Sequence, residues 1–405
     1  MKFLPVILGA DTNAYGIAKS IYQYYQEKSI CVSTMPLFMT NHSKIIDVRI
    51  CKELHDETAM VDELIRLAKE TPEMDGKRIL FAASDAYAVA LINQQEKLKE
   101  YYHLPVIPKE QLQQFEEKEA FYQLCEKHGM PYAKTEVITK DNYVNYQSQL
   151  MFPVVLKPSN SVSYFDYEFE GKKKAFIIDS LEEVQATLNR IYEGGYTDPM
   201  ILQEFIPGDD SCMRVVNAYV DASSHVQAIS IGHPILEDVT PELVGNYVAI
   251  ISEENEPLSE LCCQFLESIQ FKGIADIDLK YDERDQQYKI FEVNLRLGRS
   301  SYYTTMAGSH LIQQIIADLI FEEQPKEVLK NTKEILWLGV PEKVALEYIE
   351  DPHWKAEAKR LIDAKQYGFT LYFDQDSVLR KRGIKKYYNS YIERYQKWFK
   401  RKGDV

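Results

Sequence analysis

Two stretches alternate polar and apolar residues with period two, and they constrain the fold more than any other feature of this chain. In Ala275-Asp-Ile-Asp-Leu-Lys-Tyr281, Asp276, Asp278 and Lys280 share one side, with Ala275, Ile277, Leu279 and Tyr281 behind them. In Phe291-Glu-Val-Asn-Leu-Arg296, Glu292, Asn294 and Arg296 share a side, with Phe291, Val293 and Leu295 behind. Such alternation belongs to half-buried strands, and the short separation suits a hairpin. One face would then carry oxygen donors closed by an arginine. Like charges facing each other destabilise a sheet, whereas a hard cation between them, such as Mg2+, turns the same residues into ligands. The bland alternative is a hairpin whose acids merely face water. The alternation alone does not choose.

A chain of 405 residues has room for two or three domains. Its formal charge of −15 argues against general nucleic-acid binding, which needs clustered Lys and Arg. No apolar run reaches the length of a membrane span. The apolar start, Met1 to Ala10, is stopped by Asp11 and Asn13, so a buried first strand fits better than a signal peptide. Cysteines 31, 51, 125, 212, 262 and 263 have no metal or disulfide spacing, which points to reduced thiols and a cytoplasmic protein. His233, in Gly-His-Pro, reads as a turn or core histidine.

The first third alternates strand and helix patterns. Strands are expected over 3–9, 30–33 and 78–83, and helices over 15–27, 58–69 and 85–99, which makes a small parallel α/β unit. The loop Gly9 to Gly16 lacks the G-x-G-x-x-G spacing of a dinucleotide site. A helix over 116–128 ends at Gly129 and Pro131. Strand-rich sequence follows, with helices over 181–193, 259–269 and 311–320.

From Arg380 to Lys402 the chain holds ten Lys or Arg and one acid, Glu393, interleaved with Tyr387, Tyr388, Tyr391, Tyr395, Trp398 and Phe399. Such a basic, aromatic helix fits peripheral contact with anionic membrane. It fits better a helix whose aromatic stripe docks on the body while its charges stay solvated.

Further features suit nucleotide chemistry. Phe152-Pro-Val-Val-Leu-Lys157-Pro ends an apolar strand in a lysine, a point charge for phosphate oxygens. Lys118 stands near the start of the preceding helix. Ser159 to Ser163 leads into an expected strand–turn–strand reaching Gly171 and the lysines 172–174. Met200-Ile-Leu-Gln-Glu-Phe-Ile-Pro-Gly-Asp-Asp210 is an apolar strand that becomes a polar turn.

In this order the residues resemble the ATP-grasp superfamily of carboxylate–amine ligases. The resemblance implies a fold of mixed α/β (α+β) class: a small parallel α/β pre-ATP-grasp domain (1–115), a two-lobed ATP-grasp domain (116–325, lobes about 131–205 and 206–325), and a C-terminal extension (326–405) with the basic helix. It implies ATP binding by Lys118 and Lys157, adenine contacts at Gln203, Glu204 and the backbone of Ile206, and a ribose contact at Asp210, with Asp209 second. It places Mg2+, as two ions with Mn2+ as a substitute, on Asp278, Glu292 and Asn294. Arg296 would stabilise the acyl phosphate, and Lys157 and Arg296 would be the catalytic pair. Arg299, Ser300 and Ser301 would bind the second carboxylate of the substrate.

Five stretches (7–16, 169–176, 205–211, 232–238 and 294–301) are similar to D-aspartate ligases of Gram-positive cell-wall synthesis. The likeness spans about residues 1–320. It implies activation of the β-carboxylate of D-aspartate and its transfer to the lysine side-chain amine of a nucleotide-linked muramyl peptide in peptidoglycan biosynthesis, in the cytoplasm or at the inner membrane face. Homodimers are common in the superfamily. The alternatives are a ligase for another amino acid or acceptor, a carbamoyl-phosphate-type enzyme, and a nucleotide-binding membrane or partner module without turnover.

Overall fold

The computed structural model describes residues 2–159, 163–164, 167–173, 175–241, 243 and 245–399. The strand–turn–strand expected between Ser159 and Lys174 falls partly outside the described residues, as do the last lysines and arginine of the basic tail. The chain clusters into two compact units. Unit 1 comprises Met1–Leu112, Asp209–Leu279 and Glu292–Val405, and unit 2 comprises Gln113–Gly208 and Lys280–Phe291.

Unit 1 begins with a parallel sheet of β1 (Leu4–Leu8), β2 (Ser29–Ser33), β3 (Ile46–Ile50) and β4 (Arg78–Ala82), ordered β3-β2-β1-β4. Val6, Ile7 and Leu8 are fully buried, as expected for a parallel strand covered on both faces. β3 was not expected, because its residues Ile46-Asp-Val-Arg-Ile50 are largely half-exposed at the sheet edge. The first helix, Thr12–Tyr25, starts three residues earlier than its apolar periodicity suggests. Asp11 caps it by accepting from the Ala14 amide at 3.0 Å.

The rest of unit 1 is built on β9 (Met213–Val220), β10 (Val226–Glu237), β11 (Tyr247–Glu253), β12 (Gly273–Asp282), β13 (Gln287–Asn294), β14 (Leu336–Leu338) and β15 (Tyr367–Phe369). These form one sheet in the order β13-β12-β9-β10-β11-β14-β15, and the turn end of β12–β13 clusters with unit 2. One core joins this sheet to the first. Ala14, Ile17 and Ile21 pack in the same cluster as Leu311, Ile312, Ile315, Ile384 and Tyr388.

The C-terminal helix Val378–Trp398 is part of that core. Ile384, Tyr388, Tyr391 and Tyr395 are buried, while Lys381, Arg382, Lys385 and Lys386 face outward. The aromatic stripe is therefore occupied by the body, the outcome favoured for such a stripe. Among the described residues, no helix is long and apolar enough to cross a membrane.

Unit 2 holds a four-stranded sheet of β5 (Thr135–Ile138), β6 (Val154–Pro158), β7 (Phe176–Ile178) and β8 (Met200–Glu204), ordered β5-β8-β6-β7 and antiparallel throughout. The helix Leu181–Glu193 lays Val184, Leu188 and Ile191 against Val154, Leu156 and Leu202. The single helix expected over 116–128 is two, Leu112–Glu116 and Lys118–Lys127. Glu117 is extended (φ −88°, ψ 113°) and interrupts them.

Arg380 fixes the start of the tail helix. It pairs with Asp376 at 2.9 Å, donates to the carbonyls of Phe38 (2.9 Å), Met39 (2.6 Å) and Asn41 (3.1 Å), and lies over the Tyr15 ring. Removing one member of a buried ion pair strands the other. Arg380→Ala is expected to lose about 3–5 kcal/mol of unfolding free energy in a denaturant titration. Exposed Lys385→Ala should stay within about 0.5 kcal/mol. Equal small losses would show that the tail is not anchored in this way.

Candidate active site

On β12, Ala275, Ile277 and Leu279 are fully buried, which turns Asp276 and Asp278 together to the opposite face. From β13, Asn294 reaches the same place. Its amide nitrogen lies 3.3 Å from Asp278 Oδ2 and 3.4 Å from the Asp276 carbonyl. Tyr247 on β11 donates to Asp278 Oδ1 at 3.1 Å. Burial, reinforced by the charges of Asp276 and Glu292, pushes the Asp278 carboxyl well above the usual carboxylate range. Asp276 is pushed up to about 6, first by burial, with Arg296 and a hydrogen bond from Asn217 opposing. The expected same-face arrangement of the two strands is thus present in their side-chain contacts.

These residues fit a hard divalent cation. Crowded, buried carboxylates with too little positive charge nearby are what such an ion relieves, and all the donors are oxygens. Among the described residues, no three His, Cys, Asp or Glu side chains are gathered so that they alone could hold a metal ion. The set of two carboxylates and one amide leaves coordination for substrate oxygens and water, as Mg2+ prefers.

Arg296 is held from two sides. Nη1 donates to Asp276 Oδ2 at 3.1 Å, while Nε and Nη2 each lie 3.0 Å from the two oxygens of Asp85. Gly298 is required beside it. A Cβ there would stand 2.5 Å from Asp276 Oδ2. Asn13, in the first turn of the first helix, ties that helix to this segment, donating to the carbonyls of Ala83 (3.0 Å) and Leu297 (2.7 Å). Asp11 feels the charges of both Arg299 and Arg296. Ser300 and Ser301 are buried where the chain turns into the helix Tyr302–Met306. Arg299 turns instead to the tail helix, donating to the phenols of Tyr387 (2.9 Å) and Tyr391 (3.3 Å).

Within unit 2, Lys157 on β6 donates to Gln203 Oε1 on β8 at 2.9 Å. Gln203 in turn donates to Tyr122 Oη (2.8 Å) and Thr135 Oγ1 (2.9 Å). Glu204 pairs with Arg284 at 2.8 Å and Lys289 at 3.5 Å, and the Ile206 side chain is buried. Lys118 is the first residue of its helix and half-exposed. Asp210, in unit 1, accepts from the Glu237 amide at 3.3 Å, whereas Asp209 caps the turn through the Ser211 amide. His233 is core, its ring against Trp354 and Nε2 2.6 Å from the Ser211 carbonyl.

No family model matches the chain. A D-aspartate ligase of Enterococcus faecium is 39% identical over 408 residues, an alignment covering 98% of this chain and 97% of that protein. The chain belongs to the D-aspartate ligase family. It is an ATP-dependent ligase that forms a carbon–nitrogen bond. The arginine-specific carbamoyl phosphate synthase large chain of Halalkalibacterium halodurans is 22% identical over 78% of this chain, but this covers only 30% of that protein. Among solved structures, the biotin carboxylase domain of Hydrogenobacter thermophilus 2-oxoglutarate carboxylase, with MgADP, aligns at TM-score 0.61 and 11% identity over 83% of this chain and 74% of that one. An L-amino acid ligase from Bacillus licheniformis aligns at TM-score 0.55 and 14% identity, covering 79% and 74%. These likenesses show the ATP-grasp fold.

The D-aspartate ligase match runs through the tail, so the likeness expected only to about residue 320 extends across nearly the whole chain. The tail carries no family signature of its own in sequence, because charge and aromatic content describe an amphipathic helix of any origin. The sequence assigns no site role to Asp85, Asn217, Tyr247 or Asp238, although Asp238 closes one of the stretches that carry the resemblance. Each is a lone polar residue whose partner lies far along the chain, and only the helix-capping pattern Ser84-Asp85 marks any of them locally.

Asp278 supplies a signed pH prediction. Its folded carboxyl holds a proton more tightly than the unfolded one, whose pKa is near 4. The folded state therefore binds more protons above that pH, and this group's contribution to stability falls as pH rises. Asp278→Asn should raise the metal-free unfolding free energy at pH 7, by about 1–3 kcal/mol, and the gain should shrink toward pH 4. A destabilised variant, or a gain independent of pH, would contradict the crowded-carboxylate geometry.

Proposed function

We propose that this enzyme activates the β-carboxylate of D-aspartate with ATP and joins it to the lysine side-chain amine of a nucleotide-linked muramyl peptide, in the cytoplasm. The observation that carries the reading is the Asp278–Glu292–Asn294 wall with Arg296 beside it, in a chain aligned end to end with a D-aspartate ligase.

Lys118 and Lys157 take phosphate oxygens as point charges. Gln203, Glu204 and the backbone of Ile206 meet the adenine, and Asp210 the ribose. Asp278, Glu292 and Asn294 would hold Mg2+, two ions or Mn2+ in their place, supplying positive charge that neutralises the phosphate oxygens. The amino-acid carboxylate oxygen attacks the γ-phosphorus, the bond to the β-phosphate oxygen breaks, and ADP leaves with an acyl phosphate formed. The neutral amine nitrogen then attacks the acyl carbon, the bond from that carbon to the phosphate oxygen breaks, and the proton lost by nitrogen leaves with the departing phosphate, so that the amide remains. Arg296, already fixed by Asp276 and Asp85, donates to the oxyanion of that step. One preorganised donor of this kind is worth about 3–4 kcal/mol. Arg299 binds the α-carboxylate, for which a guanidinium fork is suited, and Ser300 and Ser301 shape the turn that carries it.

A carbamoyl-phosphate-type reaction is the competing reading, and it would take bicarbonate in place of an amino-acid carboxylate. Incubation with ATP, Mg2+ and hydroxylamine, across a panel of D- and L-amino acids and bicarbonate, separates the readings. D-aspartate should release phosphate and form hydroxamate at least tenfold faster than any other acid. Another amino acid in that place, or bicarbonate-dependent phosphate release alone, would overturn the D-aspartate assignment.

A further inference from the structure

Arg299 differs from Arg296 and Arg380, two other arginines of unit 1, in what neutralises it. Arg296 has Asp85 and Asp276, and Arg380 has Asp376. Among the described residues, Arg299 makes no salt bridge with a carboxylate. Its side-chain hydrogen-bond partners are the Tyr387 and Tyr391 hydroxyls. Behind the two phenols, the charges of Asp238 and Asp11 also act on it. A half-buried, desolvated guanidinium without a paired carboxylate carries a cost, and a substrate carboxylate would offset it.

The two phenols form a built support. They come from one face of the helix Val378–Trp398, four residues apart, with their oxygens 3.4 Å from each other. Tyr391 is almost fully buried and donates to Asp238 Oδ2 at 3.1 Å. Asp238 is itself fixed, its Oδ1 accepting from the Thr240 amide at 2.9 Å. Because Tyr391 spends its one proton on Asp238, its lone pairs are turned to receive Arg299. Arg299 thus donates to Tyr391 and Tyr391 to Asp238, an ordered hydrogen-bond chain steadied by Tyr387.

We propose that Tyr387 and Tyr391 are positioning residues that aim Arg299 at the α-carboxylate of the amino-acid substrate, making the C-terminal helix a determinant of substrate choice. This rests on the D-aspartate reading of the site. It explains why a tail remote in sequence from the metal wall is built into the same core.

β-Alanine is aspartate without its α-carboxylate, and so isolates this contact. In the double variant Tyr387→Phe/Tyr391→Phe, the KM for D-aspartate should rise at least tenfold, with kcat and the KM for ATP within twofold of the parent. The kcat/KM preference for D-aspartate over β-alanine should fall by a similar factor. Arg299→Gln should abolish that preference. If Arg299→Gln leaves it intact, the role given to Arg299 is wrong. If Arg299→Gln removes it while the folded Phe variants keep parental constants, the tyrosine inference alone is overturned. Should the double variant fail to fold, the half-buried Tyr387→Phe carries the same test, with a KM rise of at least threefold expected and an unchanged KM for D-aspartate overturning it.

Discussion

The crowding of acidic side chains on the face of β12 is the constraint on which the rest of the site depends. Asp278 is half-buried beside the buried Asp276 and under the charge of Glu292, an arrangement that costs stability unless something positive answers it. Part of the answer is internal. Arg296 meets Asp276, Asn217 donates to it, and Tyr247 and Asn294 donate to Asp278. That leaves Asp278 under-compensated in the protein alone, which makes the wall suited to a divalent cation and not only to solvent.

Holding Arg296 and Arg299 in place draws on distant parts of unit 1. Asp85 begins a helix of the N-terminal sheet, Asn13 follows β1, and Tyr387 and Tyr391 belong to the last helix. The shared core of the first helix, the helix Leu311–Phe321 and the tail is what makes these contacts reproducible. Rigid support of this kind matters because a donor misplaced by an ångström loses much of its effect on a transition state. The tail is therefore better understood as scaffold for the substrate end of the site than as an appendage.

Much of this was legible in the sequence, for identifiable reasons. Period-two alternation marked β12 and β13, and strong apolar periodicity marked the helix Leu181–Glu193 at the bounds found. The residues brought together on β12 and β13 are those whose alternation set them on one face. What was illegible depends on long-range placement. β3 is a half-exposed edge strand, Glu117 interrupts a helix whose periodicity runs straight through it, and the tail tyrosines look like any core stripe. Likewise, nothing local to Asp85 or Tyr247 announces a carboxylate or guanidinium partner more than thirty positions away. Sequence pattern reports which face a residue takes; it is silent on what that face meets.

The central claim is that the wall on β12 and β13 supports phosphoryl transfer to a carboxylate. Its most direct test is a single-turnover measurement of ADP formation by Glu292→Gln with ATP, Mg2+ and D-aspartate, alongside its denaturation midpoint. The account predicts a folded protein that forms no detectable ADP. A folded Glu292→Gln that makes ADP at the parental rate would contradict it.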